Sequence, residues 1–147
     1  MHPLEEILSL LPHRPPFLWV DRILDCSDDW IITEKDISPD LDLFRGHYPG
    51  NPILPGVILC EAIFQSGALL MAKRKSGRSE QDFDIPVLTR IGTAKFKRSV
   101  YPGDCVQIKV TLSEILANAC FFQGVLRVQG KLAVSVDFAC AMVNSPR

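Results

Sequence analysis

A glutamate inside an apolar run is the first residue of this chain that asks for a chemical explanation. Glu61 follows Val57, Ile58, Leu59 and Cys60 and precedes Ala62, Ile63 and Phe64. Burying an ionised carboxylate costs several kcal/mol, so the group must be paired, protonated or facing a wet site. On a helix, Val57, Ile58, Phe64 and Gln65 share its side, which argues against a solvent-facing stripe. Desolvation raises a glutamate's pKa, and a glutamate held near neutrality can act as a general acid. Fourteen residues earlier, His47 sits in the rigid segment Gly46-His47-Tyr48-Pro49-Gly50. Pro55-Gly56-Val57 would form the helix N-terminus, where backbone N–H groups lack intrahelical partners and carry the positive pole. Such groups can bind a polarised carbonyl oxygen. Base, acid and oxyanion donor would then come from a single stretch of the chain.

The other polar candidates are weaker. Of three histidines, His2 is terminal and solvated, and His13, flanked by Arg14 and prolines, reads as a loop-packing residue. Cys26, Cys60, Cys105, Cys120 and Cys140 form no C-x-x-C and no zinc-type spacing with any histidine. They read as thiols in a reducing compartment, with no metal site. Sixteen Lys and Arg against seventeen Asp and Glu leave a net charge of −1, which argues against a general nucleic-acid binder.

The elements that must position these residues can be read from periodicity. At 147 residues the chain suits one domain, 1–147, able to bury its own core without staples. Leu4, Ile7, Leu8 and Leu11, bracketed by Pro3 and Pro12, predict a short amphipathic helix. Phe17–Cys26 and Trp30–Ile37 read as strands around the turn residues Ser27-Asp28-Asp29. Residues 38–55, rich in proline and glycine, read as an ordered loop packing its own aromatics. Gly56 to about Lys75 is apolar on nearly every face, the mark of a buried helix. A polar loop follows over 76–84, then a strand candidate from Pro86 to Val100 carrying Lys95, Lys97 and Arg98. Val106–Leu112 alternates with period two, and two more strand faces follow, with Gly130 marking a hairpin between them. The longest apolar stretch, Val57 to Ala72, contains Glu61 and Gln65 and falls short of the roughly 20 residues that span a bilayer. With no basic leader at the N-terminus, a soluble, cytoplasmic protein is expected, without membrane insertion. The sum is α+β: five or six antiparallel strands curved around one long central helix. A free sheet edge and part of that helix would be covered by dimerisation.

The segment from Gly46 to Gln65 resembles the signature of the 3-hydroxyacyl-[acyl-carrier-protein] dehydratases of the FabZ type. Leu11-Pro12-His13-Arg14-Pro15-Pro16-Phe17-Leu18-Trp19-Val20-Asp21-Arg22 is similar to that family's N-terminal segment, and Ala94-Lys95-Phe96-Lys97-Arg98 with Tyr101-Pro102-Gly103-Asp104 to its later sheet motif. The resemblance implies a hotdog fold and a homodimer with two shared active sites, one subunit giving His47 and the other Glu61. A trimer of dimers is implied less directly. It also implies that the Gly56 amide receives the thioester carbonyl and that an apolar tunnel holds the acyl chain. The implied reaction is dehydration of a 3-hydroxyacyl thioester to the trans-2-enoyl thioester, with no metal or dissociable cofactor. Gln65 would orient Glu61 or simply fill the pocket wall. Lys95, Lys97 and Arg98 are candidates for docking an acidic acyl carrier protein, with Lys73, Arg74 and Lys75 as alternatives. The sequence departs from the family pattern around Gly92-Thr93 and at Cys60 and Phe64; Phe64 would reshape the acyl pocket. Two rival readings are another hotdog thioester enzyme, an enoyl-CoA hydratase or thioesterase, and a non-catalytic acyl-binding subunit.

Overall fold

The structure is a computed structural model and describes residues 2–75 and 84–144. Helix α1 spans Pro3–Leu10. Pro3 supplies the preset φ of a first helical residue. The His2 side chain accepts from the Leu4 N–H while Glu5 accepts from the His2 N–H, a capping box. His2 is thus exposed, as expected, but it also starts the helix. Beyond the other end the Arg14 guanidinium donates to the carbonyls of Leu8 and Leu11, which the helix leaves without partners.

Strands β1 (Arg22–Cys26) and β2 (Trp30–Asp36) are both shorter than the alternation suggests. Residues 17–21 do not join the sheet as a strand. Their backbone is satisfied elsewhere: the Trp19 N–H donates to Gln65 and the Asp21 N–H to Glu34. The loop over 38–55 is ordered and holds a short 3-10 helix, Asp42–Arg45, with Phe44 buried beneath it. Tyr48, the other aromatic expected to pack there, is half exposed and lies on the His47 ring instead.

Helix α2 spans Gly56–Lys75, as the composition predicts. It is long and apolar enough to cross a membrane, yet most of that stretch is buried inside the protein. The last four strands are β3 (Asp84–Phe96), β4 (Cys105–Leu116), β5 (Ala119–Val128) and β6 (Lys131–Asn144). β3 ends at Phe96, so Lys97 and Arg98 lie past its end rather than on it. The expected polar loop over 76–84 falls, up to residue 83, outside the described residues.

All pairings are antiparallel, in the order β1-β2-β4-β5-β6-β3. The β5–β6 turn has Gln129 at φ 53° and Gly130 at φ 75°, the positive pair that a tight hairpin requires. One face of the sheet carries Val106, Ile108, Val110, Phe122, Leu126, Val134, Val136 and Phe138, all buried in the same core as α2. This is the hotdog arrangement of one helix in a wrapped sheet. β1 and β3 are the edges, and β3 exposes Val87, Leu88, Ile91 and Phe96.

Candidate active site

His47 is aimed by backbone. Tyr48-Pro49-Gly50-Asn51 forms a turn closed by reciprocal hydrogen bonds between Tyr48 and Asn51. Proline at the second position and Gly50 at φ 73° at the third suit a type II turn, where the third residue needs positive φ. The turn brings Ile53 back to His47: the Ile53 N–H donates to the His47 carbonyl, and His47 Nδ1 lies 2.8 Å from the Ile53 carbonyl oxygen. A carbonyl only accepts, so Nδ1 is the donor, and in the neutral ring Nε2 is left with the lone pair. The Tyr48 ring stacks on the imidazole at 4.0 Å. The Leu54 N–H then donates to the Val100 carbonyl, fixing this loop to the segment after β3.

Pro55 leads directly into α2, and its carbonyl accepts from Ile58 and Leu59. Proline has no side-chain acceptor to cap a helix, so the N–H groups of Gly56 and Val57 stay available at the positive pole. A Cβ on Gly56 would lie 2.9 Å from the Phe96 ring, so a larger residue there requires that ring to move aside. His47, Gly56, Leu59, Phe96, Lys97 and Arg98 line one cleft of about 490 Å³. Lys95 is exposed on β3 but is not part of the cleft lining.

Glu61 is held by side chains. Its side chain is 22% exposed, and burial raises its pKa, opposed by a hydrogen bond from Gln65. That bond runs from Gln65 Nε2 to Glu61 Oε1 at 3.1 Å. Gln65 is 1% exposed; its Nε2 also donates to the Phe17 carbonyl, and its Oε1 accepts from the Trp19 N–H. The amide is thereby locked, and it presents an N–H to the carboxyl. Val57, expected to help bury Glu61, is 73% exposed, because α2 emerges from the sheet at its first turn. Phe64 is half-buried and packs on Phe138 with ring centroids 4.8 Å apart.

His13 is the neighbour that its local sequence did not reveal. Its Nε2 lies 3.9 Å from Glu61 Oε1, while its Nδ1 is buried without a partner among the described residues. Burial, and then the charge of Arg14, hold this imidazole below its usual pKa. The sequence reading placed His13 in loop packing, and the contact, which spans 48 residues, corrects it. Across the sheet, burial first, then Cys120 and Glu61, push the Cys140 thiol up to about 12, so it is no nucleophile at neutral pH. Within one protomer the cleft of His47 and Gly56 does not include Glu61; the acid faces His13 and Gln65.

A FabA-like domain model matches residues 11–137. The 3-hydroxyacyl-[acyl-carrier-protein] dehydratase FabZ of Klebsiella pneumoniae is 40% identical over 139 residues, 94% of this chain and 91% of the relative. FabZ of Haemophilus influenzae is 39% identical over 93% of this chain and 91% of its own. The chain belongs to the FabZ-type dehydratase family. Among solved structures, the dehydratase heterocomplex ApeI:P of Xenorhabdus doucetiae is similar with a TM-score of 0.81 at 18% identity, covering 97% of this chain and 92% of that one. A hypothetical thioesterase with coenzyme A from Streptococcus pneumoniae has a TM-score of 0.65 at 13% identity, covering 97% and 95%. At these identities the likeness establishes the hotdog fold alone.

Proposed function

We infer that this chain dehydrates 3-hydroxyacyl-[acyl-carrier-protein] thioesters to trans-2-enoyl thioesters in fatty-acid synthesis, acting as one domain over 1–147. The observation that carries the mechanism is an imidazole whose Nδ1 is held by the Ile53 carbonyl, in the same cleft as the open N–H of Gly56. His47 Nε2 takes the α-proton as that C–H bond breaks. The Gly56 N–H receives the thioester oxygen as it gains negative charge. Glu61, whose hold on its proton is strengthened by burial, gives that proton to the β-oxygen as the Cβ–O bond breaks, and water leaves. The electron pair from the C–H bond becomes the new double bond. Gln65 orients the acid. A positioned acid or base contributes about 10²–10⁴-fold, roughly 3–5 kcal/mol each. The backbone polarises the carbonyl, so the scheme needs no cofactor.

Because Glu61 lies outside the His47 cleft of its own protomer, a complete site takes the acid from a second copy. The open edge of β3, with Val87, Leu88, Ile91 and Phe96 exposed, supports edge-to-edge pairing into a homodimer with two shared sites. Association of three such dimers and a cytoplasmic location without membrane insertion complete the reading. The thioester arrives on the arm of an acidic carrier protein, drawn by Lys97 and Arg98 at the cleft mouth and by Lys95 beside it.

The test is enoyl formation by the purified protein from 3-hydroxyacyl-carrier-protein substrates. His47→Ala and Glu61→Gln variants should each be nearly inactive alone. Co-expressed, they should recover about one quarter of wild-type activity, since half the dimers are mixed and each has one intact site of two. No recovery in demonstrably mixed dimers overturns the shared site. Release of free thiol without enoyl product would favour a thioesterase, and unchanged function in both variants a non-catalytic subunit.

A further inference from the structure

We propose that His13 is a positioning residue for the acid: its Nε2 bears the ring proton, joins Gln65 in occupying Glu61 Oε1, and so leaves Oε2 to carry and deliver the acidic proton. The proposal rests on the dehydratase reading above and deepens it at the same site. Two nitrogens converge on one oxygen. Gln65 Nε2 donates to Glu61 Oε1 at 3.1 Å, and His13 Nε2 lies 3.9 Å from the same atom. An oxygen that already accepts is the carbonyl-type oxygen of a neutral carboxyl, which puts the proton on the other.

His13 faces Oε1 as a neutral ring at neutral pH, because burial and then the charge of Arg14 lower its pKa. A neutral imidazole has one N–H to give. Placed on Nδ1, that donor would be buried without a partner, and the Nε2 lone pair would face the lone pairs of Oε1. Placed on Nε2, the donor meets an acceptor and only a lone pair is buried. The segment carrying the ring is tied down on both sides. The Arg14 guanidinium donates to the carbonyls of Leu8 and Leu11 and to that of His13 itself. Downstream, the Phe17 carbonyl and the Trp19 N–H are bound by Gln65. The amide that touches the acid therefore also anchors the chain that brings the histidine. At 3.9 Å the contact is longer than a hydrogen bond in the resting protomer. It closes as Oε2 gives up its proton, because N–H groups bind a developing carboxylate more strongly than a neutral carboxyl. An interaction that grows in this way raises kcat rather than tightening substrate binding.

The experiment measures kcat and KM with a 3-hydroxyacyl carrier protein in the wild-type oligomer, His13→Leu and His13→Gln. In parallel, nitrogen NMR of the labelled wild-type protein at neutral pH reads which ring nitrogen of His13 is protonated, its signals being those that vanish in His13→Gln. Nε2 should carry the proton. His13→Leu should lower kcat about fivefold, the worth of one ordinary hydrogen bond, with KM held within about twofold. His13→Gln, whose amide restores a donor, should return kcat to within about twofold of wild type. A proton on Nδ1 overturns the proposal. So does a kcat of His13→Gln as low as that of His13→Leu, or a loss confined to KM, because a merely structural role would not sort the variants by their donors. If His13→Leu fails to fold, the ring proton and His13→Gln still decide. If the wild type forms no enoyl product, the dehydratase reading fails, and the position of the ring proton alone decides whether His13 addresses the acid.

Discussion

The cradle of His47 and the cradle of Glu61 differ in kind. His47 is fixed by main chain: a proline–glycine turn, a carbonyl six residues away and a stacked neighbouring ring. Glu61 is fixed by side chains: a buried amide tied to residues 46 and 48 positions distant, and a histidine from the segment after α1. A backbone cradle is local and tolerates solvent. A side-chain cradle is cooperative, because each polar atom removed leaves another buried atom without a partner. The base should therefore be separable from folding, whereas the acid's surroundings should couple chemistry to stability.

The sharpest way to break this contrast is to remove each reactive group. His47→Ala should lower kcat by about 10²–10⁴-fold while the thermal midpoint moves little. A large loss of stability would show that the loop depends on the imidazole. Gly56→Ala should come next. Its Cβ meets the Phe96 ring, itself largely exposed and free to turn, so melting should hold while enoyl formation drops at least about tenfold.

The acid side should behave differently. Gln65→Leu strands the buried Trp19 N–H, at a cost of about 1–3 kcal/mol, and frees the Phe17 carbonyl, which stands nearer the surface. It should also move the basic limb of the kcat–pH profile upward. The Gln65 N–H favours the ionised carboxyl, so without it the raised pKa rises further and the acid form persists to higher pH. A downward shift, or an unmoved midpoint on melting, would refute the coupling.

His13 should give the smallest effect. Its pKa is lowered on folding, so the unfolded chain binds the proton more readily, and stability falls as pH drops below the ordinary value of 6.5. His13→Asn should remove that loss, seen by comparing melting at about pH 7 and pH 5.

The same division governs what could be read from residue order. The chemistry of the His47 loop was legible because Tyr48-Pro49-Gly50-Asn51 carries its conformation in adjacent residues. The bounds of α2 were legible because its composition leaves no other burial for it. β1 was overread: Phe17–Trp19 look like strand residues, but Gln65 competes for their backbone and wins. Val57 was misplaced because helical spacing gives a face but not the depth at which a helix leaves its sheet. His13 was assigned to loop packing because its partner lies on another element.

Residue order by itself determined the turn, the buried helix, the alternating strands and the presence of one acid among apolar neighbours. These follow from φ preferences and from periods of two and 3.6 residues, which act over a few positions. Tertiary structure alone decided that His13 sits beside that acid, that Phe17 and Trp19 lock the Gln65 amide, that Lys97 and Arg98 reach the His47 cleft while Lys95 does not, and that Phe64 meets Phe138. Those contacts join atoms far apart in the chain. Only the closure of the sheet around α2 brings them within bonding distance, and only there does water's exclusion give them their strength.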